Sequence, residues 1–103
     1  MRVIWSPDAL EDIERIFDYV SLFNPPAARH LAERLFTAAA ELEHFPYRGR
    51  RAEPPGCREL TVIRPYVLVY EIRRDEVQVL RLWHGAQHRP RPQPSPKPGR
   101  APE

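Results

Sequence analysis

The sequence YVLVYEIRRDEVQVLRLW, residues 66–83, decides the fold of this protein. Residues 66–72 and 76–83 are rich in β-branched and aromatic side chains, which favours strands over helices. Only residues 73–75 separate the two runs, so they should be antiparallel neighbours joined by a tight turn. A third run of this kind, residues 58–63, comes before them and ends at Arg64-Pro65. Three consecutive runs with short links predict an antiparallel meander.

A first amphipathic helix is predicted upstream of the meander. Ser6-Pro7-Asp8 is typical of a helix start, because serine caps the helix, proline suits its first turn and an acid suits its positive end. Apolar residues then recur at helical spacing and predict a face packed on a core: Leu10, Ile13, Ile16, Phe17 and Val20. The residues expected to face solvent are Glu11, Asp12, Arg15 and Asp18.

A second helix is predicted to follow after only a few residues. Asn24-Pro25-Pro26 ends the first helix and starts this one. Its apolar stripe has the same helical spacing: Ala27, Leu31, Leu35, Ala38 and Leu42. The short connection predicts that the two helices pack as an antiparallel hairpin.

Together these elements predict an α+β fold with the order β-α-α-β-β-β, because residues 2–5 (RVIW) form a short first strand. The helical hairpin is expected to pack on one face of a small, curved, mostly antiparallel sheet. In residues 66–72, Leu68, Tyr70 and Ile72 are predicted to face the helices. Val67 and Val69 lie on the alternate face and are expected to form an open, partly apolar surface of the kind that binds partners.

The chain is predicted to divide at residue 88. Residues 89–103 read RPRPQPSPKPGRAPE, with proline at every second position from 90 to 98. Such a segment can join neither a helix nor a sheet interior, so it is expected to be a disordered, polyproline-like tail. Residues 1–88 are then the folded domain. With 103 residues, one cysteine, no signal peptide and no apolar run of about 18 residues, a cytoplasmic protein with no membrane partner is expected.

The charge of the chain is unevenly distributed. The formal net charge is +2, of which residues 89–103 carry +3, so the predicted domain carries −1. Within the domain, residues 1–47 carry −4 and residues 48–88 carry +3. A generic nucleic-acid binder would spread positive charge over a face, whereas this polarised domain is expected to steer a charged partner towards its second half.

Five segments, taken together and in this order, resemble one protein family. They are WSPDALEDIERIFDYV (5–20), PPAARHLAERLF (25–36), FPYRGR (45–50), GCRELTVIRPYVLVYEI (56–72) and VLRLWHGAQHRP (79–90). Over residues 2 to about 89 the chain resembles the RelE/ParE superfamily of bacterial toxins. The resemblance implies the same fold and a toxin of a type II toxin–antitoxin system, neutralised by a cognate antitoxin. RelE-like members cleave messenger RNA on the ribosome, whereas ParE-like members bind DNA gyrase without a catalytic group.

Departures from the RelE-like pattern favour the gyrase-binding branch. Val67 stands where the nucleases have an arginine, so a cation for the phosphate is missing. His84 matches a position where they have histidine or tyrosine, but Gly85-Ala86-Gln87 follows, where a basic residue often stands. One alternative is a ribosome-dependent mRNA endonuclease that would use His84, Arg58 and Arg81. Another is a non-toxic remnant that still binds its antitoxin.

The surface expected to bind a target or partner is basic and lies in the second half of the domain. Its predicted residues are Arg48, Arg50, Arg51, Arg58, Arg64, Val67, Val69 and Arg81. The antitoxin is expected to lay a helix and an extended arm along the helical hairpin and the sheet edge. No cofactor or metal is expected, because His84 and His88 have no companion cysteine or acid at ligand spacing. Cys57 has no histidine nearby in the sequence and is not expected to be a nucleophile.

Overall fold

The computed structural model describes residues 1–85 and has the predicted order of elements with one short strand added. The elements are β1 (Arg2–Trp5), α1 (Pro7–Ser21), α2 (Pro25–Glu41), β2 (Arg50–Ala52), β3 (Cys57–Ile63), β4 (Tyr66–Arg73) and β5 (Glu76–His84). The α+β fold is confirmed. The predicted tail, residues 89–103, lies outside the described residues.

The five strands form one mixed sheet in the order β1-β5-β4-β3-β2. Strands β3, β4 and β5 form the predicted antiparallel meander. β1 is parallel to its neighbour β5, and the helical hairpin carries the chain from β1 at one edge of the sheet to β2 at the other. β2 is the added strand, and its three residues pair with β3 from Arg50–Glu59 to Ala52–Cys57. The composition of residues 50–52 does not predict a strand. They become extended because they form hydrogen bonds with β3.

Both predicted helix starts are confirmed by their capping bonds. Ser6 Oγ accepts a hydrogen bond from the Ala9 N–H at 3.1 Å, and Asn24 Oδ1 accepts one from the Ala27 N–H at 3.0 Å. Each helix then has proline in its first turn, where a missing N–H costs nothing. Neither helix within residues 1–85 has the length and apolar character required to cross a membrane.

The main core lies between the helical hairpin and one face of the sheet. It contains Ala9, Ile13, Leu31, Leu35, Ala39, Leu42, Leu68, Tyr70, Val77, Val79 and Leu82, with Ile72 packed against it. The prediction that Leu68, Tyr70 and Ile72 face the helices is therefore confirmed. Two predictions for α1 are wrong: Leu10 is exposed and Asp12 is buried, only 2% exposed. The buried stripe runs through Ala9, Asp12 and Ile13, because α1 turns Asp12 towards polar partners on β5.

The face of the sheet turned away from the helices, here called the outer face, is also buried at its centre. Cys57, Val67, Val69, Leu80 and Trp83 form a second apolar cluster there. A β-bulge in β5, opposite Val69 and Tyr70, shifts the alternation so that Leu80 and Trp83 both join this cluster. The expectation that Val67 and Val69 lie on an open surface is therefore wrong.

Candidate partner-binding surface

The loop that follows α2 is fixed to the sheet by the side chain of Tyr70. Its hydroxyl donates a hydrogen bond to the Pro46 carbonyl at 2.7 Å and accepts one from the Gly49 N–H at 2.9 Å. Burial raises the pKa of Tyr70, so the hydroxyl keeps the proton that it donates. A Cβ at position 49 would lie 2.7 Å from the Glu59 carbonyl oxygen and 2.8 Å from Tyr70 Oη, so the close approach requires glycine.

Arg58 anchors the same loop from β3. Its Nη1 donates hydrogen bonds to the carbonyl oxygens of Gly49 at 2.7 Å and Tyr47 at 3.4 Å. Its guanidinium also lies 5.1 Å from the centroid of the Tyr47 ring, within the range of a cation–π interaction. Arg58 was predicted to be a binding or catalytic residue. In the structure its guanidinium donates hydrogen bonds that hold the loop.

Two aromatic side chains on this anchored loop are exposed to solvent. Phe45 is 65% exposed and Tyr47 is 64% exposed. They line an open concavity of about 710 Å³ together with Glu41, His44, Pro46 and Arg48. A second concavity of about 490 Å³ shares Tyr47 and reaches Arg51 on β2. We call the four exposed residues Phe45, Tyr47, Arg48 and Arg51 the loop patch.

The sequence predicted the two arginines of the loop patch and missed its aromatic rings. The sequence does indicate that these rings are exposed. Phe45 and Tyr47 flank Pro46 in a segment of residues that break helices and strands, and side chains in such a segment seldom belong to the core. Arg48 makes an exposed ion pair with Glu41 at 3.0 Å, which contributes little to stability. Arg51 is exposed and has no ion pair within residues 1–85.

The other predicted arginines do not form one cluster. Arg50 lies near the loop patch on β2 and pairs with Glu59 at 3.0 Å. Arg64 lies in the turn between β3 and β4, at the opposite end of β3 from Arg58. Arg81 lies on β5 beside α1. Val67 and Val69 belong to the buried cluster of the outer face. The structure therefore groups Arg48, Arg50, Arg51 and Arg58 at one end of the sheet and separates them from the rest.

Arg81 is held by the buried carboxylate of Asp12. Its Nε donates to Oδ2 at 2.7 Å and its Nη2 donates to Oδ1 at 3.0 Å. The hydrogen bonds to Asp12 raise the pKa of Arg81 further above its ordinary value. Asp12 also accepts hydrogen bonds from the Leu82 N–H at 2.9 Å and from Arg15 at 3.1 Å. The guanidinium of Arg81 therefore stabilises the packing of α1 on β5.

The three residues of the nuclease alternative are not brought to one point. His84 lies at the end of β5, opposite Tyr66, with ring centroids 5.4 Å apart. Arg58 is opposite Tyr70, four residues further along β4, a separation of about 13 Å at the usual rise of a strand. Because Arg81 is bound to Asp12, a base, an acid and a cation do not converge on one phosphate here.

No other chemistry is assembled within the described residues. Residues 1–85 contain no group of three or more His, Cys, Asp or Glu side chains placed to hold a metal ion. Burial, with smaller contributions from Glu71 and Glu53, raises the pKa of Cys57 to about 11. Its thiol is therefore protonated at neutral pH and is a poor nucleophile.

The fold and its surface thus define a small α+β domain that carries an anchored, exposed patch of aromatic and arginine side chains. Residues 3–89 match the family described as the ParE toxin of the type II toxin–antitoxin system parDE. The chain therefore belongs to the ParE toxin family, and it is the toxin of a type II pair whose partner is an antitoxin.

Individual relatives cover nearly the same part of the chain. It is 42% identical over 86 residues to toxin RelE2 of Caulobacter vibrioides, covering 84% of this chain and 97% of that protein. It is 33% identical over 90 residues to putative toxin Y4kP of Sinorhizobium fredii, covering 86% and 93%. Its structure resembles a chain of the chromosomal ParDE TA system from P. aeruginosa, with a TM-score of 0.73, 27% identity and coverage of 80% and 92%.

Proposed function

We propose that this toxin binds DNA gyrase and inhibits it, and that the loop patch contacts the target. The observation that carries the proposal is that Phe45 and Tyr47 are exposed on an anchored loop while His84, Arg58 and Arg81 are kept apart. Inhibition by binding requires a fixed complementary surface, whereas RNA cleavage requires a base, an acid and a cation around one phosphate.

The composition of the loop patch supports a role in binding. Tyrosine and arginine are among the residues that contribute most free energy at protein interfaces, and Phe45 adds a second aromatic ring. The hydrogen bonds of Tyr70 and Arg58 already hold the loop in one conformation. Little conformational entropy is therefore lost when a partner binds, which favours affinity.

A second exposed apolar patch lies at the tip of the helical hairpin and supports a place for the antitoxin. Leu22 and Phe23 are more than 70% exposed, and Phe23 packs edge-on against Tyr19 with ring centroids 5.4 Å apart. We call these three residues the hairpin patch. α2 separates it from the loop patch, and 17 helical residues span about 25 Å. An antitoxin segment bound along α2 would cover both patches and thereby block the target surface.

The decisive test of the proposal is a supercoiling assay with purified gyrase and the full toxin chain. Inhibition is expected, and addition of the cognate antitoxin should relieve it. Tyr47→Ala and Phe45→Ala are expected to weaken inhibition about tenfold or more, as for interface hot spots. Leu22→Ala, which truncates an even more exposed apolar side chain in the hairpin patch, is the matched control and should leave inhibition unchanged. A folded wild-type chain that does not affect supercoiling would contradict the proposal.

The alternative function, ribosome-dependent cleavage of messenger RNA, is favoured by the position of His84 beside Tyr66 at a strand end. It predicts new 5′ ends in translated messages after induction of the toxin, and their loss in the His84→Ala variant. Messenger RNA that stays uncut while growth is arrested would support the gyrase proposal.

A third alternative is a non-toxic remnant. Absence of growth arrest, in a chain that still binds its antitoxin, would indicate this alternative.

A further inference from the structure

Two arginines lie directly opposite each other where β2 pairs with β3. Arg51 on β2 is the cross-strand partner of Arg58 on β3, so both side chains leave the sheet on the same face. At such positions the Cβ atoms are about 4.5–5.5 Å apart, and like charges destabilise the sheet. The next pair along, Arg50 and Glu59, has opposite charges and forms an ion pair of 3.0 Å. Arg51 therefore adds repulsion to the sheet and does not stabilise it.

The two guanidinium groups differ in what they contact. Arg58 donates to the carbonyl oxygens of Gly49 and Tyr47 and lies over the Tyr47 ring. Arg51 is exposed and has no ion pair within residues 1–85. Both arginines line the smaller concavity, of about 490 Å³, together with Tyr47. The planar guanidinium fits a carboxylate with two parallel N–H donors. An anion in this concavity would bind Arg51 and also offset its repulsion with Arg58.

We propose that Arg51, beside Arg58 and Tyr47, binds a carboxylate of the gyrase protein, an aspartate or glutamate that has apolar neighbours. This inference rests on the proposed function and names the chemistry of the surface that the loop patch contacts. The carboxylate supplies the negative charge that the two arginines lack, and its apolar neighbours pack on the exposed rings of Phe45 and Tyr47. An ion pair enclosed by such contacts is screened less by salt than an exposed one.

The other anion that gyrase presents is the phosphate backbone of its DNA, and the charges at this end of the sheet disfavour it. Glu41, Glu53 and Glu59 lie among the four arginines, so the formal charge is only +1. Arg48 and Arg50 already form ion pairs with Glu41 and Glu59 at 3.0 Å. A surface that binds a phosphate backbone needs several cations free to contact it. In a duplex the bases are also stacked on one another, so exposed aromatic rings find no free base to stack on.

The affinity of the full toxin chain for purified gyrase, measured without DNA, tests the inference. Arg51→Gln is expected to weaken binding about tenfold, as for an arginine hot spot, and Arg51→Lys should recover part of the loss because it restores the charge. The matched control is Arg29→Gln, which removes an exposed arginine from α2 and should leave the affinity unchanged. Because Arg51→Gln also removes the repulsion with Arg58, its midpoint of thermal unfolding should not fall. Equal affinities of the Arg51→Gln and Arg29→Gln variants would overturn the inference.

Salt and DNA distinguish a carboxylate from a phosphate backbone. When NaCl rises from about 50 to about 200 mM, four arginine–phosphate contacts would lose about 150-fold in affinity, whereas one enclosed ion pair should lose only a few-fold. The wild type is expected to show the small loss and to bind gyrase equally with and without DNA. A loss of about 100-fold or more, or binding that requires DNA, would overturn the inference and leave the proposed inhibition of gyrase intact. A folded chain that neither binds nor inhibits gyrase would overturn the proposed function and this inference with it.

Discussion

Asp12 and Arg81 form a partly buried ion pair with two hydrogen bonds, which joins α1 to β5 across 69 residues of the chain. Asp12 also accepts the Leu82 N–H at 2.9 Å. β1 ends at Trp5, which pairs with Val79, so Leu82 lies beyond the reach of the neighbouring strand. A buried N–H without a partner is costly, and the carboxylate of Asp12 takes the place of the missing strand.

This relationship predicts a large loss of stability when Asp12 is removed. Asp12→Ala leaves the Leu82 N–H unpaired and the Arg81 guanidinium partly buried without its counter-ion, so the free energy of unfolding should fall by about 3 kcal/mol. Urea unfolding followed by tryptophan fluorescence measures the change. Glu11→Ala removes the neighbouring acid, which has only a long, exposed pair with Arg15, and should change stability little. Similar losses in the two variants would show that the Asp12–Arg81 pair does not stabilise the fold.

Charge reversal at two arginines separates a structural role from a binding role. Arg81→Glu places a second carboxylate against Asp12 and is expected to unfold the domain. Arg51→Glu changes an exposed residue without an ion pair in the described chain, so its free energy of unfolding should stay within about 0.5 kcal/mol of wild type. Its inhibition of gyrase should nevertheless weaken. Thermal unfolding and the supercoiling assay measure the two effects. Full inhibition by a folded Arg51→Glu variant would show that Arg51 does not contact gyrase.

Loss of the Tyr70 hydroxyl is expected to release the loop without changing the core. Tyr70→Phe leaves the Gly49 N–H and the Pro46 carbonyl without their partner, which should cost about 1–3 kcal/mol. Hydrogen exchange in residues 45–49 should become faster, and inhibition of gyrase should weaken because the loop patch is no longer anchored. Tyr66→Phe removes the same atom from the half-buried tyrosine at the other end of β4 and serves as the control. If exchange in the loop is equally slow in both variants, Tyr70 does not anchor it.

Alkaline pH should destabilise the protein through Cys57. Burial raises its pKa from 9.0 to about 11, so folding favours the neutral thiol. This contribution is complete below about pH 9 and is lost as the pH rises through about 11. Between these values the free energy of unfolding should fall, and Cys57→Ala should reduce the fall by about 2–3 kcal/mol. The raised pKa of Tyr70 acts in the same direction, so some pH dependence should remain. An identical pH profile in Cys57→Ala would contradict the assignment to this thiol.

Most of the fold could be predicted because its elements have local signals. The meander follows from alternation and short links, and the helix starts follow from Ser6-Pro7 and Asn24-Pro25, which cap by bonds within three residues. Of the candidate site, the basic end of the sheet was predicted through Arg48, Arg50, Arg51 and Arg58. The exposed rings of the loop patch were missed, because an aromatic residue in a sequence is read first as a core residue.

The sequence by itself therefore determined the order of the two helices and of every strand except β2, the face of β4 that meets the helices, and the family. Only the tertiary structure decided which charged residues are free to bind. Asp12 was predicted to face solvent and Arg81 to bind a partner, but in the structure the two side chains bind each other across 69 positions of the chain. Periodicity describes a side chain relative to its own helix or strand. Hydrogen bonds between distant elements depend on how those elements pack, and no local pattern contains that information.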